Sequence, residues 1–163
     1  MTATDELLRN NAAYASAFDK GALPREPARR LAVVTCMDAR MDAHRILGLD
    51  QGEAHVLRNA GGIVTDDVVR SLTVSQRLLG TREVLVVMHT DCGMHGLADA
   101  DFRAQVQSEA GLRPSWATEG FFDLEQALRE GLLRLRTNPF LLHRTAARGF
   151  VYEVETGRLR EVG

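Results

Sequence analysis

Apolar and polar positions follow two periods along this chain, and the switches between them predict its elements. Residues 31–35, 54–58 and 83–88 are short apolar or β-branched runs, and the last is apolar from Val84 to Met88. Such a run suits a central parallel strand covered on both faces. The helical period predicts a first helix over 4–20, with Leu7, Leu8, Tyr14 and Phe18 as its apolar stripe. Thr4 is its N-cap, and Gly21 and Pro24 end it. A short helix opens at Asp42, runs through Ile46 and Leu47, and closes at Gly48. A stronger one covers 65–79, where Thr65 caps, Asp66 and Asp67 suit the positive end of the dipole, and Gly80 stops it. Further helices are expected over 98–109, 121–136 and 139–147, with a break at 111–116. The tail, Phe150–Val154 and Arg158–Val162 around Glu155-Thr156-Gly157, reads as a terminal strand and hairpin.

Strands alternating with helices imply βαβ crossovers, hence an α/β fold with a mostly parallel sheet flanked by helices. No repeat, low-complexity tract or linker interrupts the pattern. The reading is one domain over 1–163, with 4–20 as an N-terminal helical arm packed on the domain or on a partner subunit. At 163 residues the chain can bury a sizeable core. A net charge of −2 points to neither nucleic acid nor an anionic membrane. No apolar run approaches the ~20 residues of a membrane span. The acidic start, Met1 to Glu6, lacks the basic and apolar segments of a signal peptide, so the cytoplasm is the expected compartment.

Two cysteines change the picture, because both follow strands. Cys36-Met37-Asp38-Ala39-Arg40 follows the first strand, and His89-Thr90-Asp91-Cys92-Gly93 follows the 83–88 strand. In an open parallel sheet, residues just past the carboxyl ends of strands converge on one crevice. Cys36, His89 and Cys92 would then supply three donors of a tetrahedral zinc shell, with the fourth position left for water or a carboxylate. A Cys36–Cys92 disulfide and a buried inert cysteine are the plainer readings. Neither accounts for a histidine three residues before Cys92 at a strand exit. Zinc, one ion per chain, would make bound water acidic enough to serve as a hydroxide nucleophile. Asp38 lies within reach of the metal or its water. Arg40, two residues on, would project to the same side of an extended segment and hold the Asp38 carboxylate bidentately. Their plain alternative is a surface ion pair worth little.

Other residues carry weaker signals. Asn59, Gly61 and Gly62 follow the second strand and are candidates for the substrate pocket, since glycine lets backbone amides approach closely. A tight strand-to-helix turn explains them equally well. His95 is a candidate proton carrier, or a solvent-facing residue. Asp91 would orient His89 or cap the following helix. His44, His55 and His143 read as surface or core residues.

Cys36-x-Asp38-x-Arg40, followed by His89-x-x-Cys92 with Arg58-Asn59-Ala60-Gly61-Gly62 between them, resembles the β-class carbonic anhydrases. The terminal Val151-Tyr152-x-Val154-x-Thr156-Gly157 is similar to that family's too, so the likeness spans the chain. The resemblance implies a four-stranded, mostly parallel sheet, here with an extra C-terminal edge strand. It implies a zinc lyase that hydrates carbon dioxide to bicarbonate, and a homodimer or dimer-based higher oligomer. It implies Cys36, His89 and Cys92 as ligands, with Asp38 as fourth ligand in a closed state and Asp38 and Arg40 as the gate. Hydrolysis of carbonyl sulfide or carbon disulfide at the same site is the first competing function. A non-catalytic, zinc-stabilised scaffold is the second.

Overall fold

In the computed structural model, which describes residues 2–163, five strands form one sheet. They are β1 (Leu31–Cys36), β2 (Ala54–Asn59), β3 (Glu83–His89), β4 (Ala147–Tyr152) and β5 (Leu159–Val162), in spatial order β2-β1-β3-β4-β5. The first four run parallel, and β5 returns antiparallel along β4 as an edge. This is the expected four-stranded parallel sheet with its C-terminal edge strand. β1 sits between β2 and β3, so it is covered on both sides and nearly all of it is buried. Val33 and Val34 pair with Val56 and Leu57 on one side and with Leu85 and Val86 on the other.

The helices are α1 (Ala3–Ser16), α2 (Ala43–Leu47), α3 (Asp66–Leu79), α4 (Asp99–Ala110) and α5 (Leu124–Thr137). α5 packs on β3 and β4 through buried Leu128, Leu132 and Leu135, and α3 lies against β1 with Leu72 fully buried. Gly149 on β4 leaves room for this packing, since a Cβ there would stand 2.8 Å from Leu132 and 3.0 Å from Leu128. α2 and α3 have the expected caps, Asp42 and Thr65 at one end and left-handed Gly48 and Gly80 at the other.

Four expectations are corrected. The first helix begins earlier and ends earlier than 4–20, because Thr2 rather than Thr4 caps it in a reciprocal box with Asp5. The Ser16 hydroxyl turns back to the Ala13 carbonyl as the helix stops, and Phe18 lies beyond it. Phe121 does not belong to the 121–136 helix. Asp123 caps that helix, and Phe121 instead bridges to His95. The helix expected over 139–147 is only a 3-10 turn, Arg144–Ala146. The Gln76 side-chain oxygen accepts from Leu142 and His143 backbone N–H groups, which satisfies those donors without a helix. The terminal strand accordingly starts at Ala147. No helix among the described residues is long and apolar enough to cross a membrane.

Candidate metal centre

The parallel sheet delivers β1 and β3, adjacent strands, to the same edge, and the functional segments leave from their carboxyl ends. Cys36 closes β1, His89 closes β3, and a tight turn at Asp91, in the left-handed region at φ 53°, brings Cys92 back beside them. All three residues are buried, and their donor atoms lie within 4.8 Å of one another. The two sulfurs are 4.0 Å apart, and both cysteines are free thiols, so the disulfide reading falls. The His89 ring is oriented by its neighbour, with Nδ1 donating to the Thr90 carbonyl at 2.8 Å. A carbonyl only accepts, so Nδ1 carries the hydrogen and Nε2 presents its lone pair. That Nε2 is buried with no hydrogen-bond partner. An orphaned imidazole nitrogen facing two thiols is the arrangement a thiophilic cation would satisfy, and zinc fits this donor set.

Asp38 stands beside the donors, its Oδ2 3.9 Å from His89 Nε2. Arg40 holds both of its carboxylate oxygens, Nε to Oδ1 at 3.0 Å and Nη2 to Oδ2 at 2.8 Å. The extended segment expected here is instead a turn. The Arg40 backbone N–H caps Asp38 Oδ1 at 2.8 Å and the Met41 N–H reaches the Asp38 carbonyl. The pairing survives because the turn folds Arg40 back over Asp38. These hydrogen bonds from Arg40 hold the Asp38 carboxyl well below the usual carboxylate range, so it acts as an acceptor throughout the neutral range. Burial raises the Cys92 thiol, so an incoming cation must displace a proton and binds better as pH rises.

A hollow of about 750 Å³ opens on the segments that follow Cys36 and Cys92; Met37, Asn59, Gly93, Met94, Phe102 and Trp116 are in its lining, and none of the three donors is.

The carbonic anhydrase family model matches residues 31–120. The β-carbonic anhydrase 1 of Mycobacterium tuberculosis is 54% identical over 162 residues, covering 99% of each chain. The chain belongs to the β-carbonic anhydrase family. It is an enzyme of that class, a lyase, and the fold agrees. The crystal structure of a Streptococcus mutans carbonic anhydrase superposes with a TM-score of 0.93 at 40% identity, over 100% of this chain and 99% of that one. A carbon disulfide hydrolase of Acidianus is 38% identical, covering 82% of this chain and 77% of its own.

The other sequence candidates divide. Asn59 lines the hollow, but its side chain also clips the following turn, donating to the Ile63 carbonyl and accepting from the Ile63 N–H. Gly61 and Gly62, in the 3-10 turn Ala60–Gly62, are buried and do not line it. His95 is exposed and outside the hollow's lining. Its Nε2 is bonded to the Phe122 carbonyl at 3.1 Å, and its ring meets Phe121 edge-on. Asp91 neither orients His89 nor caps a helix. Its carboxylate and carbonyl both accept from Arg40, at 2.7 and 2.9 Å, so one guanidinium ties the Cys36 loop to the Cys92 loop. Arg58, read only as part of the family pattern, donates to the Cys36 carbonyl from Nε and to the Asp38 carbonyl from Nη2. The periodicity held no signal for either contact, since both depend on loop geometry.

Gly62 is the tightest point under the centre. Its φ is 67°, and a Cβ there would stand 2.9 Å from the Cys36 nitrogen and 3.2 Å from the Val87 carbonyl. Both are backbone atoms of the strands that end in Cys36 and His89. Gly62→Ala should lose at least about 1–3 kcal/mol from the left-handed backbone alone, and should displace Cys36. Gly93→Ala, where a Cβ meets nothing within 4 Å, should be tolerated. Thermal melting with metal analysis of both variants checks this, and a Gly62→Ala protein as stable and as metal-loaded as wild type contradicts it.

Proposed function

We propose that the protein hydrates carbon dioxide reversibly to bicarbonate, using one zinc ion per chain held by Cys36, His89 and Cys92. The observation that carries this reading is the unpartnered His89 Nε2 buried against two free thiols, with an arginine-held carboxylate alongside. The family membership supports it. Zinc held there would lower the pKa of a coordinated water, making a nucleophile available near neutral to mildly alkaline pH.

The chain's own residues do the rest. Asp38, held ionised by Arg40, is an acceptor that would orient a nucleophile supplied at the metal towards the carbon of the substrate. Two states are open to that carboxylate. In the first, Arg40 keeps both oxygens, as its two hydrogen bonds here allow, and a fourth metal position would stay open to water. A swing across the 3.9 Å to the donor set would make Asp38 the fourth ligand and close the site. Asn59 borders the hollow in which substrate arrives, and Gly61 and Gly62, outside its lining, act through the turn that follows Asn59. Each turnover releases one proton, and His95, an exposed imidazole three residues after Cys92, is the proposed carrier. Two unbridged thiols suit a reducing compartment, the cytoplasm.

Stopped-flow hydration of carbon dioxide by zinc-verified protein tests this, with sulfide release from carbonyl sulfide and carbon disulfide as the competing readout. Hydration rising from neutral to mildly alkaline pH is expected. Sulfide release without hydration, or neither activity in fully loaded protein, contradicts it. Arg40→Ala should keep its zinc and lose about 10–100-fold in activity, the scale on which removing a ligand's supporting partner acts. An unchanged rate and pH profile in that variant would reduce Arg40 to a structural role.

We infer a homodimer, or a dimer-based higher oligomer. α1 buries none of its residues, and Leu7, Leu8, Tyr14 and Phe18 are all exposed. That apolar stripe needs cover, which a second copy would supply. Light scattering should give at least twice the chain mass of 18.0 kDa. A monodisperse, active monomer overturns the inference.

A further inference from the structure

The loop that carries the first sulfur is held from two sides. Arg40 grips the Asp38 carboxylate from within the loop. Arg58 comes from β2, whose register against β1 is set by continuous pairing that places Thr35 opposite Arg58 and Cys36 opposite Asn59. From there Nε donates to the Cys36 carbonyl at 3.0 Å and Nη2 to the Asp38 carbonyl at 2.7 Å. Carbonyls two residues apart, turned to one rigid planar fork, leave the Cys36–Asp38 peptides little freedom. The same peptides decide where the Cys36 sulfur and the Asp38 carboxylate sit. Further contacts tighten the unit, with the Met37 N–H on the Asn59 carbonyl at 2.8 Å and the Asp38 N–H on the Cys36 sulfur at 3.4 Å.

We propose that Arg58 is a positioning residue of the metal centre: its guanidinium spans the Cys36 and Asp38 carbonyls and transmits the fixed register of β2 to the spacing between Cys36 and Asp38. Charge alone does not supply this. A lysine ammonium is a compact point charge on a flexible stem and cannot present two donors in a fixed fork. Arg58 thus acts on the backbone of the loop, as Arg40 acts on the side chain, and Asp38 is held at both ends. The inference rests on the zinc reading above.

The experiment is zinc competition against a chromophoric chelator for wild type, Arg58→Lys and Arg58→Ala. Absorption of the cobalt-substituted proteins serves as a second readout of donor geometry. Wild type should bind one ion per chain. Both variants should bind about tenfold more weakly or worse, the range for lost outer partners of metal ligands, with altered cobalt spectra. Added methylguanidinium should restore Arg58→Ala towards wild type and leave Arg58→Lys unchanged. Should Arg58→Ala fail to fold, Arg58→Lys decides the matter by itself. Wild-type affinity and spectrum in Arg58→Lys would overturn the fork, as would weakened binding in a folded Arg58→Ala that methylguanidinium does not restore. A wild type that binds no zinc would instead remove the metal reading on which the inference stands.

Discussion

Two thiols and an unpartnered imidazole nitrogen, buried together beside an arginine-held carboxylate, set the terms for the rest of this molecule. A buried polar group without a partner costs about 1–3 kcal/mol. His89 Nε2 is such a group, and its ring cannot turn away because Nδ1 is already bonded to the Thr90 carbonyl. A structural zinc site contributes on the order of 10–16 kcal/mol of binding free energy. A bound cation therefore offsets that burial many times over, and the sheet can hold a polar cluster at the end of its most buried strands.

Parallel topology makes the cluster possible. β1 and β3 are neighbours, run the same way, and end within one residue of each other in register, so two segments far apart in sequence meet without any long loop. The close approach of Gly62 to the backbone of β1 and β3 seals the underside. Arg40 and Asp91 then join the two ligand-bearing loops across the top, while Arg58 fixes the first loop to β2. Each bond by itself is modest, and exposed ion pairs are commonly worth under ~1 kcal/mol. Their value here is geometric, because a tetrahedral donor set tolerates little displacement.

Much of this was legible in the sequence for physical reasons. Strands β1 and β3 announced themselves because burial on both faces demands continuous apolar runs. The candidate donors stand out because two lone cysteines and a histidine follow those runs directly. The edge strand β5 followed from a turn signal between short strands. What stayed hidden depended on distant partners. The 139–147 helix failed because Gln76, remote in sequence, satisfies the backbone donors there. Phe121 left its helical pattern for a bridge with His95 that no local periodicity encodes. Asp91 stands between His89 and Cys92 in sequence, yet its partner is Arg40 on another loop. The Asp38–Arg40 pair was foreseen for the wrong local reason, since a turn rather than an extended segment brings the two together.

If Cys36, His89 and Cys92 together form one metal centre, the metal content of the protein must follow each of the three. Elemental analysis of purified wild type beside Cys36→Ser, His89→Ala and Cys92→Ser, each confirmed as folded, would give the answer. The account predicts about one zinc per wild-type chain and loss of the ion in each variant, because three buried donors leave no substitute for a missing one. Full zinc occupancy in the Cys92→Ser protein would contradict it.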